Sequence, residues 1–258
     1  MIPKIIHYCW FGKKRKPKLI RDCIKTWEKH CSDFQIIEWN EENTDLSLPF
    51  VQKAYKEKKW AFVSDYIRFK ILHDQGGIYL DTDMLVVKPL NDLLQHEVFF
   101  GTEEQGIVSC GIIGSRKHNS FIKECFMQYE NMNLTDINWM KIVITRITTD
   151  LLQFNYNFQE SNEKKMYEGV TIYPTDFFYP LPFKSDDAIN YKKYIKPETY
   201  AIHLWVGSWI VYNEFNFLRN GEYRKGISTA VKNFSYDKLK LKYLKKIMSS
   251  IKQSFVKK

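Results

Sequence analysis

The chain has 258 residues, 44% of them hydrophobic and 16% aromatic, and a formal net charge of +9. That is long enough and apolar enough for one full α/β core, and it excludes a disordered chain. The excess of positive charge comes without a recognisable nucleic-acid module, so no nucleic-acid partner is expected.

Lys4 to Trp10 is the first predicted strand. Its His7 reads as a core histidine, while Trp10 closes the strand beside Phe11-Gly12, where glycine lets the backbone approach a ligand. Two readings stand open for Trp10: a face on which a nucleobase stacks, or a core tryptophan at the sheet edge. Pro17 to His30 follows as a helix with proline near its start, then Phe34 to Trp39 as a strand and Pro49 to Lys58 as a helix. Ala61 to Leu72 reads as a buried amphipathic helix, and Gly76-Gly77 supplies a left-handed stop before the short apolar strand Ile78 to Leu80. Leu85 to Leu90, Val98 to Gly101, Gly111 to Gly114 and Tyr200 to Trp205 are further strands, the last placing His203 on the face of Ala201 and Trp205. Asn131 to Asn162 is weakly patterned and reads as an insertion or an acceptor-facing segment. Alternation of this kind predicts an α/β fold, a mixed but mostly parallel sheet flanked by helices.

The strand over Ile78 to Leu80 ends on Asp81-Thr82-Asp83, at the edge where an α/β sheet holds its ligands. Two carboxylates two residues apart suit Mn²⁺ or Mg²⁺, and such an ion keeps positions open for water and diphosphate oxygens. A nucleotide-activated substrate fits that demand, although two acids in a turn also serve as solvated or capping groups. Asp65 and Arg68 share one helical face. At that spacing they pair locally for about 0.2–0.5 kcal/mol, or they project into the site, the guanidinium on phosphate and the carboxylate on sugar hydroxyls. His203 is read either as a core histidine or as a further metal ligand.

Ser64-Asp65-x-x-Arg68 followed by Gly76-Gly77-Ile78-Tyr79-Leu80-Asp81-x-Asp83 resembles the DXD-containing sugar transferases of glycosyltransferase family 32, which include capsular polysaccharide enzymes and mannosyltransferases. Ile2 to Gly12, Glu38-Trp39-Asn40, His203-Leu204-Trp205 and Ser208-Trp209 match the same pattern in order, so the resemblance spans about 1–210. It is also similar to the catalytic domain of the large clostridial glucosylating toxins. The resemblance implies a GT-A fold, a nucleotide-sugar donor contacted by Trp10, Asp65, Arg68, Asp81, Thr82, Asp83, Ser208 and Trp209, and a metal on Asp81, Asp83 and His203. It further implies a retaining transfer in which Asp65, Arg68, Asp81 and Asp83 carry the chemistry. Glu103 and Glu104 stand as alternative carboxylates. UDP-hexose is favoured as donor by the Trp10 match, with GDP-mannose second.

Cys9, Cys23, Cys31, Cys110 and Cys125 lack CxxC spacing and read as free, mostly buried thiols. No charged start leads into an apolar segment and no run nears the roughly 18 apolar residues of a membrane span, so a cytoplasmic place is expected. Tyr236 to Lys258 carries eight lysines against one acid, with Leu239, Tyr243, Ile247, Ile251 and Phe255 at helical spacing. The expected organisation is a glycosyltransferase domain over 1–232 and a basic amphipathic helix over 233–258, which either docks on the domain or touches the inner face of the cell membrane. Membrane contact suits a lipid-linked glycan acceptor, such as a capsular or surface polysaccharide intermediate. The competing classes are a nucleotidyltransferase acting on sugar phosphates and a non-catalytic nucleotide-sugar-binding protein.

Overall fold

The computed structural model describes residues 1–103, 106–135, 137–183, 188–205, 214–219, 223–232 and 241–256. Its sheet is built from apolar residues that alternate between two cores. In β1 (Ile5–Cys9), Ile6 and Tyr8 enter one core and Cys9 the other, and β2 (Gln35–Trp39) lies parallel to it. Between them runs α1 (Lys18–His30), whose Ile20, Cys23 and Trp27 recur at i, i+3 and i+7 and are buried. Pro49 opens α2 (Pro49–Lys56), a position where its missing N–H costs nothing. α3 (Trp60–Gln75) is more enclosed than the amphipathic helix expected from its sequence, because even Asp65 and Arg68 are buried.

The chain leaves α3 through Gly76 at φ +69° and Gly77 at φ +113°, the left-handed stop expected of that pair. A Cβ on Gly77 would stand 2.7 Å from the Ile5 carbonyl oxygen and 2.8 Å from His7 Nε2, so glycine is what lets β3 (Gly77–Leu80) settle beside β1. His7 is the core histidine expected. Its Nε2–H donates to the Gly76 carbonyl at 2.8 Å and its Nδ1 accepts from Trp39 Nε1 at 3.1 Å, which fixes the tautomer. Burial pulls its pKa from 6.5 down to about 4, against a smaller upward pull from the Gly76 bond.

Between those two values the unfolded chain binds a proton that the folded chain refuses. Stability from this ring is therefore complete above pH 6.5 and lost as pH falls toward 4. Urea unfolding should show a loss of roughly 3 kcal/mol across that window, and His7→Gln should remove this part of the pH dependence. An unchanged pH slope in His7→Gln would contradict a neutral buried ring.

β4 (Met84–Val86) stops well short of the strand expected to run to Leu90. After it come β5 (Val98–Thr102), β6 (Val108–Ser115) and α4 (Ser120–Glu130), whose cap Asn119 accepts from the Ile122 N–H through its side chain. The segment expected as an insertion is instead part of the core. Within it α5 (Ile144–Tyr156) buries Ile144, Thr148 and Leu152, four residues apart, and packs on β6. β7 (Lys165–Tyr167) and β8 (Val170–Tyr173), a hairpin missed in the sequence, turn through Glu168 and Gly169, both at positive φ. β9 (Ala201–His203) ends the strands described.

Among the described residues, seven strands form one sheet in the order β2-β1-β3-β6-β5-β8-β7, and β4 pairs with β9 in a separate ribbon. β6 and β7 run against the other five, so the sheet is the mixed, mostly parallel one expected. The carboxyl ends of β1, β2 and β3 consequently share an edge with the start of β6. All five cysteines are free and buried.

The chain divides into compact units at 1–206 and 207–258. In the second unit α6 (Glu214–Arg219) packs against both α7 (Tyr223–Lys232) and α8 (Leu241–Val256). Buried Glu214 accepts from Tyr243 Oη at 2.9 Å, and buried Leu218 lies against Gly226. No helix among the described residues is long and apolar enough to cross a membrane.

Candidate active site

β3 delivers the acidic turn to the carboxyl edge of the sheet. The Asp81 N–H donates to the Gly111 carbonyl at 2.7 Å and the Met84 N–H to the Asp81 carbonyl at 2.9 Å, which holds Asp81-Thr82-Asp83 between β6 and β4. Thr82 is half-buried in that turn. α3 brings up Arg68. Its Nη1 lies 3.2 Å from Asp81 Oδ1 and donates to the Cys110 carbonyl at 2.6 Å, while Nη2 donates to Asp65 Oδ1 at 3.0 Å.

The two readings of Asp65 and Arg68 are thus one arrangement: the pair bonds locally and also faces the acidic turn. Tyr79 completes it, with its ring centre 4.5 Å from Arg68 Cζ and its hydroxyl donating to Asp81 Oδ1 at 3.2 Å. The sequence reading passed over Tyr79. Its signal was the two-residue period of the strand, which puts it on the face of Asp81.

Two carboxylates share one guanidinium here, and burial dominates the titration of Asp65. Burial pushes Asp65 up to about 7, with Arg68 pulling it down and Asp81 pushing it further up. For Arg68, burial works against the charge, but Asp81, Tyr79 and Asp65 outweigh it and keep the guanidinium protonated.

Asp83 meets a different partner. β9 sets His203 opposite Met84, and the Leu204 N–H donates to the Asp83 carbonyl at 3.1 Å. That register brings His203 Nε2 to 3.0 Å from Asp83 Oδ1. Burial alone would lower the histidine's pKa, yet the Asp83 charge and hydrogen bond prevail and raise it, with smaller help from Asp81 and Glu103. The strand expected to continue to Trp205 stops at His203, because Trp205 takes φ +52° and ties its indole N–H to the Leu181 carbonyl. Even so its ring lies 4.0 Å from that of His203, centre to centre.

The expected ligand set of Asp81, Asp83 and His203 therefore resolves into an Asp83–His203 pair and an Asp81–Arg68–Asp65 cluster. Among the described residues no group of three His, Cys, Asp or Glu is gathered as a metal site. The chemistry of the donors still fits a hard divalent ion that keeps most of its shell for water and phosphate. His203 Nδ1 is buried without a hydrogen-bond partner among the described residues, and Asp81 Oδ2 faces Gly111, where a Cβ would come to 3.4 Å.

Trp10 leaves β1 at the same edge, half-buried, with its indole N–H donating to the Lys14 carbonyl at 2.6 Å and Lys16 Nζ 5.7 Å from its ring centre. Gly12 N–H donates to Glu41 Oε1 and thereby ties this loop to the one after β2. Glu103 follows β5, and Glu104, Ser208 and Trp209 lie outside the described residues. A cavity of about 400 Å³ lined by Trp39, Asp45, Tyr66, Lys70 and Asp74 runs beside α3, apart from every residue expected in the site.

Residues 17–100 match the family described as "Glycosyltransferase sugar-binding region containing DXD motif". Asp65, Arg68, Asp81 and Asp83 all fall within the match. The match covers about a third of the chain. The chain is 26% identical over 180 residues to the lactosylceramide 4-alpha-galactosyltransferase of Rattus norvegicus, covering 64% of this chain and 46% of that protein. It is 27% identical over 177 residues to the alpha-1,4-N-acetylglucosaminyltransferase of Homo sapiens, covering 64% and 48% respectively. The matched stretch thus spans about half the length of each relative. Among solved structures, "PaToxG Glycosyltransferase" aligns with a TM-score of 0.49 at 14% identity, over 99% of this chain and 85% of that one. The matched segment supplies Asp81, Arg68 and Asp65, whereas His203 reaches Asp83 from outside it.

Proposed function

We propose that the chain is a metal-dependent, retaining hexosyltransferase that moves a hexose from a nucleotide sugar to a glycan acceptor. The observation that carries the reading is the meeting of Arg68, Asp81 and the Asp83–His203 pair at the carboxyl edge of β3. Cleavage between an anomeric carbon and a nucleoside diphosphate leaves negative charge on phosphate, which Arg68 is placed to receive. Mn²⁺ or Mg²⁺, held by Asp83 and His203 with Asp81 beside them, would supply the rest of the neutralising charge. Asp65 accepts from sugar hydroxyls and orients the ring. With no further carboxylate assigned as base, the departing diphosphate takes the proton of an acceptor attacking on the same face.

UDP-hexose is the first donor candidate and GDP-mannose the second, with Trp10 as platform for the base. Relatives named for galactosyl and N-acetylglucosaminyl transfer support a hexose-type sugar. The proposed acceptor is a lipid-linked capsular or surface polysaccharide intermediate, met in the cytoplasm.

The test is NMR of a nucleotide-sugar panel incubated with the purified chain and Mn²⁺, or with EDTA. Metal-dependent release of free hexose and nucleoside diphosphate from one donor is expected. Nucleotidyl transfer to a sugar phosphate, or no metal-dependent binding of any donor, would overturn the reading.

A further inference from the structure

The net charge of the chain is not spread along it. Residues 207–258 hold twelve Lys and Arg against three Asp and Glu, which is +9, while residues 1–206 hold 27 of each and are neutral. The same small unit also bares apolar side chains. On α7, Tyr223, Ile227 and Val231 stand four residues apart and form one exposed stripe; on α8, Leu244 and Met248 repeat the spacing. Ile227, Val231, Leu244 and Met248 are each more than half exposed.

These stripes are distinct from the faces the helices use among themselves. α7 turns Gly226 to Leu218, and α8 gives Tyr243 to Glu214 and buries Ser250. Exposed cations flank both stripes, Arg224 and Lys225 on α7 and Lys245 and Lys252 on α8.

A partner must therefore take apolar side chains and positive charge together. A second copy of this unit would bring +9 against +9, and a nucleic acid would leave the apolar stripes in water. An anionic bilayer accepts both, with the apolar groups at the headgroup boundary and the cations on lipid phosphates. We propose that residues 207–258 form a membrane-surface anchor that lays the α7 and α8 stripes on an anionic lipid bilayer. The inference stands apart from the donor chemistry, since binding is read with no nucleotide sugar present.

The full chain is cosedimented with vesicles of phosphatidylcholine alone and with vesicles containing about one third phosphatidylglycerol. Binding to the anionic vesicles should exceed binding to neutral ones by about tenfold or more and fall as salt is raised. The double variant Ile227→Glu with Val231→Glu should lose about tenfold of that binding, because acidic groups replace the inserting ones. Both positions are exposed, so its far-UV circular dichroism and nucleotide-sugar hydrolysis should match the parent chain. Equal binding to both vesicles, no binding, or binding unchanged in the double variant would overturn the proposal. So would self-association that the double variant abolishes, which would give this face to a second copy.

Discussion

Replacing Arg68 with methionine is expected to cost about 3–5 kcal/mol of stability and to abolish turnover. Arg68 is 4% exposed and Asp65 5%, so removing the cation leaves an uncompensated acid in the interior. It also strands the Cys110 carbonyl and one side of Asp81, both of which Arg68 now engages. Lysine is not expected to rescue it. One ammonium cannot reproduce contacts at 3.0 Å to Asp65, 3.2 Å to Asp81 and 2.6 Å to Cys110 while also standing over the Tyr79 ring. Urea unfolding measures the first effect, and a second substitution separates it from catalysis. Adding Asp65→Asn to Arg68→Met should recover much of the stability, because the buried charge is gone, with no return of activity. A single Arg68→Met chain as stable as the parent would mean that Asp65 is already fully protonated and unpaired.

Asp83→Asn is expected to lower metal-dependent hydrolysis of the nucleotide sugar by about a thousandfold while leaving the fold intact. An amide keeps the shape of the carboxylate and its place in the turn, where the backbone carbonyl still accepts from Leu204. It loses the charge that binds a hard cation. It also loses the charge that raises the His203 pKa, and the bond between the imidazole and position 83 weakens. Calorimetric titration with Mn²⁺ should show the loss of affinity directly, alongside the rate. Parent rates and parent Mn²⁺ affinity in Asp83→Asn would remove Asp83 from the site.

Much of the candidate site was legible because its signals are local. Gly76-Gly77 after an apolar helix announced a left-handed exit, and the backbone takes positive φ at both residues. Asp65 and Arg68 were readable as a pair because three residues is less than one helical turn. The α5 stripe of Ile144, Thr148 and Leu152 was equally local, but its threonine hid the period from a hydrophobicity reading. The β7–β8 hairpin escaped because its strands have only three and four residues, too few for alternation to stand out.

The sequence by itself determined the acidic turn, the helix that faces it, the glycine exit between them and the concentration of positive charge late in the chain. Each follows from neighbouring residues, whose backbone preferences and periodicity act over a few positions. Only the tertiary structure decided how the acids divide. Asp81 goes to Arg68 because β3 lies against β6 and under α3, and Asp83 goes to His203, 120 residues away, because β9 pairs with β4. Tertiary packing also gathers α6 with α7 and α8 in the unit 207–258, since a contact between helices leaves no mark on any one of them.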